Sequence, residues 1–187
     1  DYEDDGVLNF SAGSDASEPD DGSLDTSRFA KIHKLRAEGG MAVVHLAKDK
    51  ATGEQVIWKQ AAPHRKLSTK AANAALANEI EVLAKLDHPR VPGFVAFGNI
   101  EDDDGESVLV LVMEHIEGTS LDAEMKTFIG RGMRQGLDHA VGTVLDCCDA
   151  LEHMADLEPP LYHRDIKPHN IITHPTKGAV LIDFGLA

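Results

Sequence analysis

Tyr162-His163-Arg164-Asp165-Ile166-Lys167-Pro168-His169-Asn170, followed thirteen residues later by Asp183-Phe184-Gly185, is the stretch on which the reading of the whole chain turns. One short loop offers a carboxylate (Asp165), an ammonium (Lys167) and a carboxamide (Asn170), and a second carboxylate (Asp183) comes close behind. Such a set suits phosphoryl transfer. A carboxylate can accept or orient a hydroxyl proton, and a lysine can stabilise the phosphoryl group in transit. A carboxamide and a carboxylate together can hold magnesium between phosphates.

Three stretches upstream fit the same chemistry, in a fixed order. Ala37-Glu38-Gly39-Gly40-Met41-Ala42-Val43-Val44 has little side-chain bulk at its turn, so backbone N–H groups can approach phosphates closely. Taken alone it is equally a β-turn. Val56-Ile57-Trp58-Lys59 reads as a strand that ends in a lysine able to reach phosphate oxygens, although a solvated strand lysine would look the same. Asn78-Glu79-Ile80-Glu81-Val82-Leu83 then offers a carboxylate to hold Lys59 in place. Glu79 and Glu81 compete for that role. Two residues on is about 200° around a helix, so only one can face the lysine. Period leaves the choice open; the family pattern named next selects Glu79 and leaves Glu81 solvated.

With these four pieces in order, the chain from Phe29 to Ala187 resembles the eukaryotic-type (Hanks-type) protein kinase family. His163 to Asn170 matches H-R-D-x-x-x-x-N, and Asp183-Phe184-Gly185 matches D-F-G. Lys167 resembles the serine/threonine subclass. The resemblance implies an α+β, protein-kinase-like fold: an antiparallel-sheet N-lobe with one main helix, then the first part of a helical C-lobe. It implies ATP and Mg2+ as cofactors and a protein hydroxyl as acceptor. By resemblance, Lys59 contacts the α- and β-phosphates and pairs with Glu79, Asp165 is the catalytic carboxylate, Lys167 contacts phosphate, and Asn170 and Asp183 are the magnesium ligands. Ala37, Glu38, Gly39, Gly40, Met41 and Ala42 correspond to the phosphate-covering loop. Val44, Ile57 and Met113 line the adenine slot, and Glu114, His115 and Ile116 form the hinge. Leu83, Phe94, His163 and Phe184 fall on a packed spine, which makes His163 a structural residue, not a metal ligand. No zinc site is expected.

The sequence departs from the family pattern in places. Ala37 and Ala42 replace two loop glycines, which predicts weaker nucleotide binding or slower turnover. Ile57 replaces a small residue and predicts a tighter slot, while Trp58 points to the other sheet face. The family continues past D-F-G with an activation segment and further helices, so this chain alone is expected to transfer little phosphate and to expose the apolar face of 137–157. A nucleotide-binding pseudokinase or regulatory fragment is the alternative. A small-molecule phosphotransferase ranks last, because those read H-G-D where this chain has His163-Arg164-Asp165.

Periodicity supplies the coarse layout. Strands are expected at Met41 to Ala47, Glu54 to Gln60, Phe94 to Gly98 and Val108 to Glu114. A helix capped by Ser68 is expected over Thr69 to Leu86, and others over Leu121 to Arg134 and Leu137 to Leu157. The last should bury Val141, Val144, Leu145, Cys148, Leu151 and Met154, with the paired cysteines on or beside that face. Three segments follow: a disordered acidic stretch (1–27), an N-lobe (28–116) and a partial C-lobe (117–187).

Charge and composition narrow the setting. Of 187 residues with net charge -14, the first 27 hold nine acids and no Lys or Arg, which leaves -5 on the remainder. Residues 1–27 have too little apolar bulk to offset their ordering entropy; an acidic docking tail is the functional alternative. A negative surface does not favour nucleic acid or anionic lipid. Adjacent Cys147 and Cys148 cannot staple distant elements, and no basic neighbour activates them, so a reducing, cytoplasmic setting is expected. No apolar run approaches the roughly 20 residues of a membrane helix. The chain starts at Asp1 without a signal-peptide pattern, so its start is expected to be missing or removed.

Overall fold

The computed structural model describes residues 24–35, 42–62, 68–102, 105–130 and 136–187. A five-stranded antiparallel sheet comes first: β1 (Phe29–Lys34), β2 (Ala42–Asp49), β3 (Gln55–Ala61), β4 (Phe94–Glu101) and β5 (Ser107–Glu114), in spatial order β1-β2-β3-β5-β4. Helix α1 (Thr69–Leu83) crosses from β3 to β4. After the connector at 115–118 come β6 (Thr119–Ser120), α2 (Leu121–Gly130), α3 (Leu137–Ala155), β7 (Ile171–His174) and β8 (Gly178–Leu181). The last two pair with β6 in a small sheet of order β6-β7-β8. The expected α+β architecture is present.

Alternation along the strands separates two cores. On the outer face, Phe29, Ala47, Val56, Trp58, Val110 and Val112 pack together. Trp58 is 2% exposed there and meets Phe29 edge-on, with ring centroids 5.9 Å apart. Leu24 joins this cluster, and the Asp25 carboxylate accepts the Ser27 N–H at 2.9 Å. The fold therefore includes residues 24–27, which were expected to be disordered; one buried leucine and a local cap suffice to bring them in. Residues 1–23 lie outside the described part.

On the inner face, Ala61 and Leu111 meet Ala72, Leu76, Ile80 and Leu83 of α1. The alanine-rich sequence of α1 favours helix, and Ser68 Oγ accepts the Ala71 N–H at 3.3 Å. The helix stops three residues short of the expected end. Its last turn tightens, with Lys85 N–H donating to Val82 O and Leu86 N–H to Leu83 O, both i→i−3 bonds. Helix α2 ends at Gly130, and 131–135 lie outside the described residues.

The face of α3 differs from the expected one. Thr143, Ala150 and Met154 are buried and Cys147 packs beside them, whereas Val141, Val144, Leu145 and Cys148 are exposed. Apolar surface on 137–157 is thus exposed, as expected, while the buried stripe departs from the periodic one because it carries a threonine, whose hydroxyl is satisfied by donating to His139 O at 2.9 Å. Burial pushes the Cys147 thiol above its ordinary pKa. Among the described residues, no helix is long and apolar enough to cross a membrane.

Candidate active site

Lys59 and Glu79 meet because β3 and α1 present them to the same space. Lys59 alternates with Trp58 and so points inward, toward the helix. Its Nζ lies 2.8 Å from Glu79 Oε1, 2.6 Å from Glu79 Oε2 and 3.1 Å from Asp183 Oδ1. All three ammonium protons thus find a carboxylate oxygen. Glu79 is 3% exposed, Lys59 15% and Asp183 45%. Burial disfavours the ammonium, but Glu79 and Asp183 outweigh it and hold the Lys59 pKa above the usual lysine value. Glu81, on the other side of α1, pairs instead with Lys85 at 2.7 Å on the surface.

The loop after α3 brings a second cluster together. Asp165 Oδ2 accepts from Lys167 Nζ at 2.7 Å and from Asn170 Nδ2 at 3.0 Å. Asn170 Nδ2 also donates to Asp165 O at 3.0 Å, which closes the loop on itself. Lys167, more than any other partner, lowers the Asp165 pKa, and Asp165 raises that of Lys167. Arg164 takes φ +59°, a left-handed turn that sets the loop's course.

Ile182 joins the two clusters. Its N–H donates to Asn170 O at 2.9 Å, and its carbonyl lies 3.1 Å from His163 Nε2. His163 Nδ1 accepts the Asp165 N–H at 3.3 Å, so the ring proton resides on Nε2 and points at Ile182 O. Burial lowers the His163 pKa and favours this neutral form. The ring also packs on Phe184, centroids 5.0 Å apart, next to the cluster that contains Leu83 and Phe94. One residue past Ile182, Asp183 turns at φ +68° toward Lys59.

An apolar row lines the sheet beside Lys59. Val44 sits directly across from Lys59, and Ile57 lies between Leu46 and Met113. Leu46 was not anticipated, although alternation from Val44 points to it. Ala42 stands opposite Ala61. Ala37, Glu38, Gly39, Gly40 and Met41 lie outside the described residues. Glu114 N–H already donates to Gly93 O at 2.8 Å, while its carboxylate accepts from Gly93 N at 3.0 Å and Lys177 Nζ at 2.7 Å. Lys177 and Gly93 outweigh the effect of burial and lower the Glu114 pKa. Nothing in the sequence signalled Lys177. Ile116 pairs with no described backbone group outside the strand ladders. Among the described residues, no group of three His, Cys, Asp or Glu side chains is arranged to hold a metal by itself.

The sequence matches the protein kinase domain family over residues 31–187. It is 33% identical over 156 residues to serine/threonine-protein kinase PksC of Streptomyces coelicolor, covering 82% of this chain and 27% of that protein. It is 31% identical over 153 residues to the probable serine/threonine-protein kinase nek2 of Dictyostelium discoideum, covering 80% and 35%. To the probable serine/threonine-protein kinase PknB of Lactococcus lactis it is 26% identical over 166 residues, covering 89% and 25%. The chain thus spans between a quarter and about a third of these relatives' length.

Proposed function

We propose a serine/threonine protein kinase function from one premise: this chain belongs to the protein kinase domain family. In this reading the chain binds ATP and directs its γ-phosphate to a serine or threonine hydroxyl of a protein. The observation that carries it is the placement of Lys59, Glu79 and Asp183 in one ion-paired group, tied through Ile182 to the Asp165–Lys167–Asn170 loop.

The donor set fits Mg2+. Asn170 spends its amide nitrogen on Asp165, and no described residue donates to its Oδ1. Asp183 gives one oxygen to Lys59 and keeps the other. Two uncommitted hard oxygens, connected through the Asn170–Ile182 bond, suit a cation that prefers oxygen and keeps several water or phosphate ligands. Asn170 and Asp183 would hold it, and once bound it would offset phosphate charge and orient the terminal group.

The remaining roles follow from position. Lys59, kept charged by Glu79, would grip phosphate oxygens. Val44, Leu46, Ile57 and Met113 would cover the adenine ring, and the loop 37–42 would close over the phosphates. The Glu114 N–H is committed to Gly93, which leaves the Glu114 carbonyl and the backbone groups of Ile116 as the hinge groups to offer adenine. Asp165 would take or orient the acceptor's hydroxyl proton, with Lys167 beside it against the transferring charge. The free thiols Cys147 and Cys148 suit a reducing, cytoplasmic compartment. A module that binds nucleotide without turnover is the alternative, drawn from Ala37 and Ala42; no displaced group in the described site favours it.

The test is transfer of label from γ-labelled Mg-ATP to a serine- and threonine-bearing acceptor such as casein, with the protein at its natural length. Asp165→Asn should slow transfer about 10²–10⁴-fold, the range for a proton-handling group. Undiminished transfer by Asp165→Asn, or label found on tyrosine, would overturn the reading.

A further inference from the structure

Asn73 makes two hydrogen bonds that the site described above does not use. Its Oδ1 accepts the Leu109 N–H at 2.9 Å, and its Nδ2 donates to Ser107 O at 3.0 Å. Residues two apart on a strand send their polar groups to the same side, so both bonds fall on one edge of β5. That edge is open for a definite reason. β3 pairs with β5 only as far as Gln60 opposite Val110, and the register goes no further. Past that point β5 has lost its neighbour, and the side-chain amide of Asn73 supplies one acceptor and one donor in its place. Among side chains of this length only asparagine offers both at once.

The consequence concerns the rotation of α1. The buried stripe of the helix runs through Ala72, Leu76, Glu79, Ile80 and Leu83. Asn73 borders one side of this stripe, which also takes in Val82, and Glu79 lies about 120° from Asn73 around the axis. A roll of α1 that withdrew Glu79 from Lys59 would have to break both Asn73 bonds to β5. Apolar contacts resist such a roll weakly, because they are not directional; the paired amide bonds are directional.

We propose that Asn73 is a positioning residue that fixes the rotation of α1 on the sheet and so holds Glu79 against Lys59. Its consequence for nucleotide binding rests on the kinase reading; its effect on the Lys59–Glu79 pair does not.

The test has two readouts that need no nucleotide: amide hydrogen exchange at Leu109, and the rate at which an amine-reactive ester labels Lys59. In Asn73→Ala exchange at Leu109 should rise about five- to tenfold, as for an amide that loses one hydrogen bond of ordinary net strength, and labelling of Lys59 should rise with it. The Mg-ATP dissociation constant should rise with them. Faster exchange at Leu109 with unchanged labelling of Lys59 would overturn the proposal, since Asn73 would then only cap the strand. Unchanged exchange would overturn it too. If Asn73→Ala fails to fold, Asn73→Asp, which keeps the acceptor for Leu109 and sets a carboxylate against Ser107 O, is read by labelling of Lys59 alone, and unchanged labelling there would overturn the proposal. Absence of Mg-ATP binding in the unaltered protein would sink the kinase reading and leave the labelling result to judge the role of Asn73.

Discussion

Removing Lys59 should cost far more stability than removing the whole Lys59–Glu79 pair. Lys59→Met leaves Glu79, 3% exposed, with two carboxylate oxygens that had been taken by the ammonium at 2.6 and 2.8 Å. Breaking a buried pair in this way costs about 3–5 kcal/mol. Glu79→Gln is milder, because Lys59 keeps Asp183 at 3.1 Å and one amide oxygen; about 1.5–3 kcal/mol is expected, the worth of one charge-assisted bond. The double variant Lys59→Met/Glu79→Leu removes both charges and fills the space with apolar atoms, so it should lie within about 1 kcal/mol of the original protein or exceed it.

The cost of Lys59→Met also depends on pH. Burial holds the Glu79 carboxyl above its ordinary pKa, and without Lys59 nothing close by opposes that. The folded state then keeps the proton to higher pH than the unfolded chain. The variant is therefore nearest the original protein in mild acid, and it loses stability as pH rises through the folded-state pKa of Glu79. Urea unfolding at several pH values from 5 to 8 reads both effects. Additive losses in the double variant, or a Lys59→Met deficit that does not grow with pH, would refute the reasoning.

Two further outcomes follow from geometry elsewhere. Gly118 has φ +144°, and a Cβ there would stand 2.3 Å from Thr173 O, so Gly118→Ala should cost at least about 1–3 kcal/mol by thermal unfolding, from backbone strain alone. Arg28 bonds the buried Asp49 through Nε at 3.0 Å and Nη2 at 2.6 Å, and it is the main cause of the lowered Asp49 pKa. Arg28→Ala should cost about 1–2 kcal/mol near neutrality, discounted because Arg28 is partly exposed. That difference should fade in acid, as pH falls through the folded-state pKa of Asp49; a deficit that persists in acid would count against it.

The parts legible in the sequence were those where a local pattern has a single geometric consequence. The β2–β3 hairpin follows from alternation on both sides of a turn whose Gly53 has φ +80°. Helical period says that only one of Glu79 and Glu81 can face Lys59, the family's helix motif picks Glu79, and the structure puts Glu79 on Lys59 and Glu81 on Lys85. Features set by long-range pairing were hidden. β1 went unread because Lys31, His33 and Lys34 do not look like a strand, yet β2 offers it a partner. Leu24 looks like part of the acidic stretch until the outer sheet face exists for it to cover. Asn73 reads as a surface residue in an alanine-rich helix; its value appears only where β3 parts from β5. On α3, a satisfied threonine displaced the stripe that hydrophobicity alone would draw.

Thermal unfolding with ATP, with and without magnesium and beside Lys59→Met, tests the central claim most directly. At a hundredfold excess over its dissociation constant, Mg-ATP should raise the midpoint by about 5–10 °C, as expected for a ligand that binds only the folded state of a domain this size. The shift should shrink without magnesium and vanish in Lys59→Met. A cooperative transition that Mg-ATP leaves unmoved would contradict the account.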